Sequence, residues 1–244
     1  MEGTIRWFAQ TDTGLERASN QDAAYARGLS GCELLMVADG MGGAPAGHIA
    51  SALVVSEFER MSLNGERPEE EMRTAVDRSR LAIESDVVEH PEHDGMGSTV
   101  AVAVVQDAQA WIANVGDSRA YLWRDGELSQ LSEDHSVAAQ GVREGWLNAE
   151  TARVDPQRHM LTRVIGGQTT AEQSPPFIDG PFELDGESAL LMVTDGVSGV
   201  LEDEAIAGIV AAHRGSKIVH ELIACVHEAG APDNIGIALL DERL

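Results

Sequence analysis

An α+β layered fold is what this sequence predicts. Strand-like segments group with strands and helical segments with helices, instead of alternating as βαβ units. The best-marked strand pair, within residues 119–131, reads as a hairpin around Asp125-Gly126 (YLWR-DG-ELSQL). The 244 residues, 43% hydrophobic, suffice to bury ~70% of the unfolded chain's surface without staples. No low-complexity stretch or linker interrupts them, so residues 1–244 are expected to form one domain.

Taken in order, residues 3–10 and 22–27 read as strands. The run 34–38 is continuously apolar and stops at Asp39-Gly40. A helix is expected over 46–61, where Ile49, Leu53, Phe58 and Met61 recur near helical spacing. The clearest helix is 68–90: Met72, Val76, Ile83 and Val87 line one face, and Pro68 suits a first turn. Strands follow at 98–105, 109–115 and 119–124. Residues 133–167 are the least regular part, with polar helix fragments and one proline. A second apolar run, 188–194, stops at Asp195-Gly196. Helices over 202–213 and 216–229 and a strand over 235–240 complete the chain.

Acids outnumber bases 41 to 17, a formal charge of -24. That argues against a broad nucleic-acid face and against docking on anionic lipid. No apolar run reaches the ~20 residues of a membrane span, and the N-terminus lacks a signal-peptide pattern. Cys32 and Cys225 sit in apolar contexts and read as buried thiols of a reducing compartment, so a cytoplasmic protein is expected.

The acids that end strands carry the chemistry. Asp39, Asp117 and Asp195 each follow an apolar run, and Asp233 precedes the last one. If these strands neighbour one another in a sheet, their carboxylates converge at one edge. Two carboxylates ~4 Å apart repel by ~4 kcal/mol at an effective dielectric of ~20. Such a group stays ionised only around a cation, and all-oxygen donors select Mg²⁺ or Mn²⁺ before Zn²⁺. The competing reading is that Asp-Gly is a turn dipeptide, of which the chain has six, at 39, 94, 125, 179, 185 and 195. The pairs at 125, 179 and 185 read as turns. Those at 39 and 195 stand apart through their matched apolar lead-ins and the lack of a returning strand.

Other chemistries are missing. Neither cysteine is followed six residues later by an arginine, and GxSxG, GxxxxGK[ST] and GxGxxG do not occur. The histidines show neither HxxxH nor HExxH, so no zinc site is expected. A metal-activated water is the nucleophile that remains.

GLERASNQD (14–22), VADGMGGAPAGHIAS (37–51), GMGSTV (95–100), NVGDSRAYLWRDGEL (114–128), EDHS (133–136), LTRVIG (161–166), VTDGVSG (193–199) and DNIGIAL (233–239) occur in this order. Together they resemble the bacterial metal-dependent protein phosphatases, the type 2C serine/threonine class, over about residues 4–240. The resemblance implies a four-layer sandwich, two central antiparallel β-sheets flanked by pairs of α-helices. It implies hydrolysis of phosphoserine and phosphothreonine by a metal-bridging water, opposing a bacterial serine/threonine kinase. It also implies a monomer holding two core Mn²⁺ or Mg²⁺ ions and a weaker third.

By the same resemblance Asp39 bridges both core ions and the Gly40 carbonyl binds one. Asp195 and Asp233 bind the other, and Asp117 holds the third ion, which Asp195 shares. Asp22 contacts the ions through water, and Arg17 grips the substrate phosphate, for which a guanidinium fork suits two oxygens. Met41 stands where eukaryotic members carry a histidine, so the proton donor is unassigned. His135, in EDHS, titrates but reads as packing or capping. His48 is expected to face solvent. Segment 133–167 aligns with a flap whose arginines could reach substrate or remain ordinary charged surface. A catalytically weak, partner-binding domain on the same fold is the alternative reading. It would require lost core acids, and none is lost. A two-metal nuclease conflicts with the acidic charge.

Overall fold

The computed structural model describes residues 6–29, 32–42, 46–61, 67–167 and 175–243. Two antiparallel sheets form its centre. The first holds β1 (Trp7–Asp12), β7 (Arg119–Arg124), β8 (Glu127–Gln130), β11 (Ala189–Val193) and β12 (Ile235–Asp241), in the order β1-β12-β11-β7-β8. The second holds β2 (Asp22–Leu29), β3 (Cys32–Met41), β4 (Gly97–Ser98), β5 (Val100–Gln106), β6 (Gln109–Val115), β9 (Ile165–Gly166) and β10 (Phe177–Glu183). Its order is β10-β6-β5-β3-β4-β9, with β2 on the other side of β3.

The continuous apolar runs follow from burial on both faces. On β3, Leu34, Met36 and Ala38 pack with Val54, Phe58 and Met72 of the helices α1 (Ala46–Glu59) and α2 (Pro68–Glu89). Leu35 and Val37 point the other way and meet Leu190, Met192, Ala238 and Leu240 of the first sheet. On that sheet Leu191, Val193, Ile237 and Leu239 face Ile206, Val210, Ile218 and Leu222. These belong to α6 (Asp203–Ala212) and α7 (Ser216–Glu228). The result is helix pair, sheet, sheet, helix pair, with three apolar interlayers. Each fully buried leucine contributes about 1.5–3 kcal/mol.

Most expected elements appear with ends shifted by a few residues, and the first strand starts at Trp7, residues 3–5 lying outside the described ones. Asp125 and Gly126 both take positive φ and close the β7–β8 hairpin, where Arg124 pairs with Glu127. Two expectations are corrected. The Asp-Gly at 179 is no turn: it lies inside β10, which pairs with β6 through a bulge between Asp179 and Phe182. Nor does the strand before Asp39 stop there. β3 runs on to Met41, because Gly40 and Met41 pair with Ser98 and Gly97 of β4. The irregular segment contains α3 (Val137–Glu144) and α4 (Ala149–Arg153), capped by Ser136 and Asn148.

Candidate active site

The antiparallel pairings decide where the acids go. They put the C-terminal ends of β1, β3, β6 and β11 at one end of the two sheets, with the N-terminal ends of β2, β5, β7 and β12. Asp39, two residues before the end of β3, lies opposite Asp22, its cross-strand partner on β2. Asp117 lies in the β6–β7 turn. Asp195 opens the one-turn helix α5 (Asp195–Ser198) after β11, and Asp233 precedes β12. Convergence is therefore across two sheets, not along the edge of one as the sequence suggested. All five acids are only partly buried, so solvent reaches them.

Their mutual fields are strong. Burial, then Asp22, Asp195, Asp117 and Asp233, hold the Asp39 carboxyl well above the usual range. Burial pushes Asp22 up to about 7, against the hydrogen bond from Thr194. Burial, then Asp195 and Asp134, raise Asp117 well above its ordinary value. Without a cation, then, this cluster binds protons. A hard divalent ion matches the all-oxygen donor set and removes the repulsion. Among the described residues, no three of these carboxylates bring oxygens within 4.8 Å of one another.

Backbone packing fixes the acids. A Cβ on Gly40 would lie 2.0 Å from the Gly47 carbonyl oxygen, so only glycine lets the start of α1 close over the end of β3. A Cβ on Gly196 would lie 1.8 Å from the Asn234 carbonyl oxygen, which brings Asp195 beside Asp233. The Asp39 amide donates to Thr99 Oγ1 at 3.0 Å, and its carbonyl accepts from Ser98 Oγ at 3.0 Å.

Arg17 is the cation at this mouth. Its guanidinium donates to Asp233 Oδ2 at 2.6 Å, and that bond, with Asp195 and Asp39 nearby, raises its pKa further. The 13–21 loop that carries it is strapped down by Asn234. The Asn234 side chain accepts from the Gln21 amide at 2.8 Å and donates to the carbonyls of Thr13 and Ser19 at 2.8 and 3.0 Å.

Sequence reasoning missed Thr99, Thr194, Asn234 and His159. Thr194 Oγ1 accepts from the Gly236 amide at 2.8 Å and donates to Asp22 Oδ2 at 2.7 Å. Each of the first three lies inside a motif block, GMGSTV, VTDGVSG or DNIGIAL, which gave it no role of its own. His159, a member of the flap segment 133–167 with no role of its own legible in the sequence, reaches Asp195 Oδ2 with Nδ1 at 3.4 Å. The arginines of that segment are tied elsewhere: Arg143 to the Asp134 carbonyl, Arg153 to Glu202, Arg163 against His135. His135 is fully buried and accepts the Gly116 amide on Nδ1 at 3.1 Å. Burial, with Arg163 and Arg143, lowers its pKa to about 3, so it is a neutral packing residue beside the Asp117 turn. His48 is exposed, as expected.

The family model for protein phosphatase 2C matches residues 15–236. The serine/threonine protein phosphatase PstP of Mycobacterium tuberculosis is 32% identical over 97% of this chain, which spans only 45% of that protein's length. Protein phosphatase PhpP of Streptococcus pneumoniae is 32% identical, with 94% of each covered. A crystal structure of the catalytic domain of a PstP with two manganese ions superposes with a TM-score of 0.85, at 30% identity over 97% of both chains. On the extent of that match, the chain belongs to the protein phosphatase 2C family.

Proposed function

We propose that this chain is a Mn²⁺- or Mg²⁺-dependent phosphatase that hydrolyses phosphoserine and phosphothreonine in proteins. The observation that carries this reading is the convergence of five partly exposed carboxylates and Arg17 at one end of the sandwich. The two manganese ions of the PstP structure and the names of the relatives support it. A bacterial serine/threonine kinase supplies the substrates it would reverse. No described helix is long and apolar enough to cross a membrane, and the cytoplasm suits thiols on β3 and α7.

In this reading Asp39, the Gly40 carbonyl, Asp195 and Asp233 hold two core ions, and Asp117 with Asp195 holds a third. When bound, the ions supply an ionised water nucleophile and positive charge facing the phosphoryl oxygens. Asp22, with Thr194 beneath it, orients the surrounding water. With Asp233 engaged as a metal ligand, Arg17 would be released from its present bond, and its fork would suit two phosphate oxygens. Water attacks phosphorus, the P–O bond to the side chain breaks, and the departing alkoxide takes a proton from solvent within the cleft.

The test is turnover of a phosphothreonine peptide and of a small aryl phosphate, with Mn²⁺, with Mg²⁺ and with excess chelator. Metal-dependent peptide turnover that chelation removes is expected. Metal binding without turnover of either compound would move the assignment to the partner-binding alternative. Arg17→Ala should raise the KM for the peptide about tenfold or more, with Mn²⁺ affinity nearly unchanged. An unchanged KM would show that Arg17 does not bind phosphate. Asn234→Ala acts at one remove. It removes the three bonds that hold the 13–21 loop, at a cost of roughly 1–3 kcal/mol. A Tm lower by roughly 2–10 °C and a severalfold higher KM should follow. A variant equal to wild type in both would show that the strap positions nothing.

A further inference from the structure

A second cluster of ligating side chains lies at the opposite end of α2 from its Pro68 start. The helix ends at Glu89, with His90 as its cap, and Pro91 prevents continuation. The chain then makes one 3-10 turn, Pro91–His93, which folds His93 back over the last turn of the helix. The His90 amide donates to the Asp86 carbonyl at 2.7 Å, and the His93 amide to the His90 carbonyl at 2.9 Å. These bonds fix three side chains side by side. One ligand atom each from Asp86, His90 and His93 lies within 4.8 Å of the other two, the only such trio among the described residues.

Two features point to a ligand there. His90 Nδ1 is buried with no hydrogen-bond partner among the described residues. A buried polar atom left so costs about 1–3 kcal/mol, which a metal bond to the same lone pair offsets. His93, only 8% exposed, holds its Nδ1 2.5 Å from Asp86 Oδ1, and the two imidazole rings are tilted by 41° with centroids 5.2 Å apart. A carboxylate oriented on one imidazole beside a second imidazole is a transition-metal donor set.

We propose that Asp86, His90 and His93 bind a divalent transition metal, Zn²⁺ foremost, at a site that shares no residue with the acid centre. Imidazole nitrogens favour Zn²⁺, Co²⁺, Ni²⁺ or Cu²⁺ over the Mg²⁺ and Mn²⁺ that all-oxygen cages take. Ligands of a tetrahedral zinc stand ~3.3 Å apart. Asp86 Oδ1 and His93 Nδ1, at 2.5 Å, would open by somewhat under ~1 Å to that spacing, within the reach of side-chain rotation on the partly exposed Asp86 and His90. The carbonyl end of α2 faces the site and favours a cation. Glu89, Glu92 and Asp94 beside it are exposed, so a fourth position would be filled from solvent. The spacing Asp-x3-His-x2-His escapes a search for HxxxH or HExxH, because one ligand is an acid and the second step crosses a helix end. The bound metal would pin the end of α2 to the lead-in of β4, whose neighbour Thr99 holds the Asp39 amide.

The test uses the full chain without an affinity tag, saturated with Mn²⁺, and titrates in Co²⁺. Wild type should take up one equivalent with the intense visible absorption of four-coordinate cobalt, which Zn²⁺ then abolishes. Six-coordinate cobalt in an oxygen cage absorbs far more weakly, so the two sites are distinguishable. His90→Ala and Asp86→Asn should each weaken uptake by more than the about 10–100-fold typical of losing a supporting hydrogen bond. Their Mn²⁺-dependent turnover and circular dichroism should match wild type. Absence of a four-coordinate band in wild type would overturn the proposal. So would a band retained at wild-type affinity in both variants. Neither outcome depends on the phosphatase reading.

Discussion

Asp39→Asn lowers metal-dependent turnover by at least about a thousandfold, some 4 kcal/mol of barrier, and leaves the fold intact. The first half follows from position. Asp39 faces Asp22 across the β2–β3 pair and feels Asp195, Asp117 and Asp233. It is the carboxylate common to the whole cluster and the one proposed to bridge both core ions. An amide has a neutral oxygen and a donor in place of the second, so it cannot bridge. The second half follows from the backbone. The bonds of residue 39 to Thr99 and Ser98 run through its amide and carbonyl, which the substitution leaves alone. Asparagine matches aspartate in shape and removes one of several mutually repelling charges. The metal-free variant should therefore melt no lower than metal-free wild type. Turnover of a phosphothreonine peptide at saturating Mn²⁺, with near-UV circular dichroism and Tm, checks both halves. Turnover near wild type would remove Asp39 from the metal centre. An unfolded variant would mean that the carboxylate is structural.

What could be read from the sequence and what could not divide along physical lines. The runs ending at Asp39, Asp195 and the start of β12 were legible because burial on both faces demands uninterrupted apolar residues. The acids stood out as the polar residues that end such runs. That they meet across two sheets was not legible, because it depends on β11 pairing with β12 and β7, which are remote in the chain. β10 was hidden by Gly180 and Pro181, which sit at a bulge and break the alternation a strand would show. Asn234 and Thr194 act through bonds to residues more than 170 positions away, Gln21 and Asp22, and no local pattern encodes such bonds. His159 reaches Asp195 from the least periodic part of the chain. The metal ligands fall in runs with strong local signals, and the residues that orient them do not.

The metal-free protein should lose stability as pH rises through neutrality, and Mn²⁺ should reverse the sign of that dependence. Asp22 titrates near 7 in the fold against 3.8 for an unperturbed aspartate. Between those values the native state holds a proton that the unfolded state has released, so raising the pH favours unfolding. The stabilisation is complete below the unfolded value and lost as pH passes the folded one. Asp39 and Asp117 are shifted in the same direction, so they add to the loss. His135 works oppositely. Its lowered pKa makes stability rise with pH, but only up to its ordinary value of 6.5. The window from 6.5 to about 8 therefore isolates the acids. Across it the Tm of chelated protein should fall, and Asp39→Asn should flatten the slope. With Mn²⁺ the ions occupy the place of the protons, competition weakens as pH rises, and Tm should climb. At a hundredfold excess over Kd one ion adds about 2.7 kcal/mol, roughly 5–10 °C for a chain of this length. A chelated Tm that is flat or rising in this window would mean that the carboxylates do not share a desolvated site. A Tm indifferent to Mn²⁺ would mean that they share one without being a metal centre.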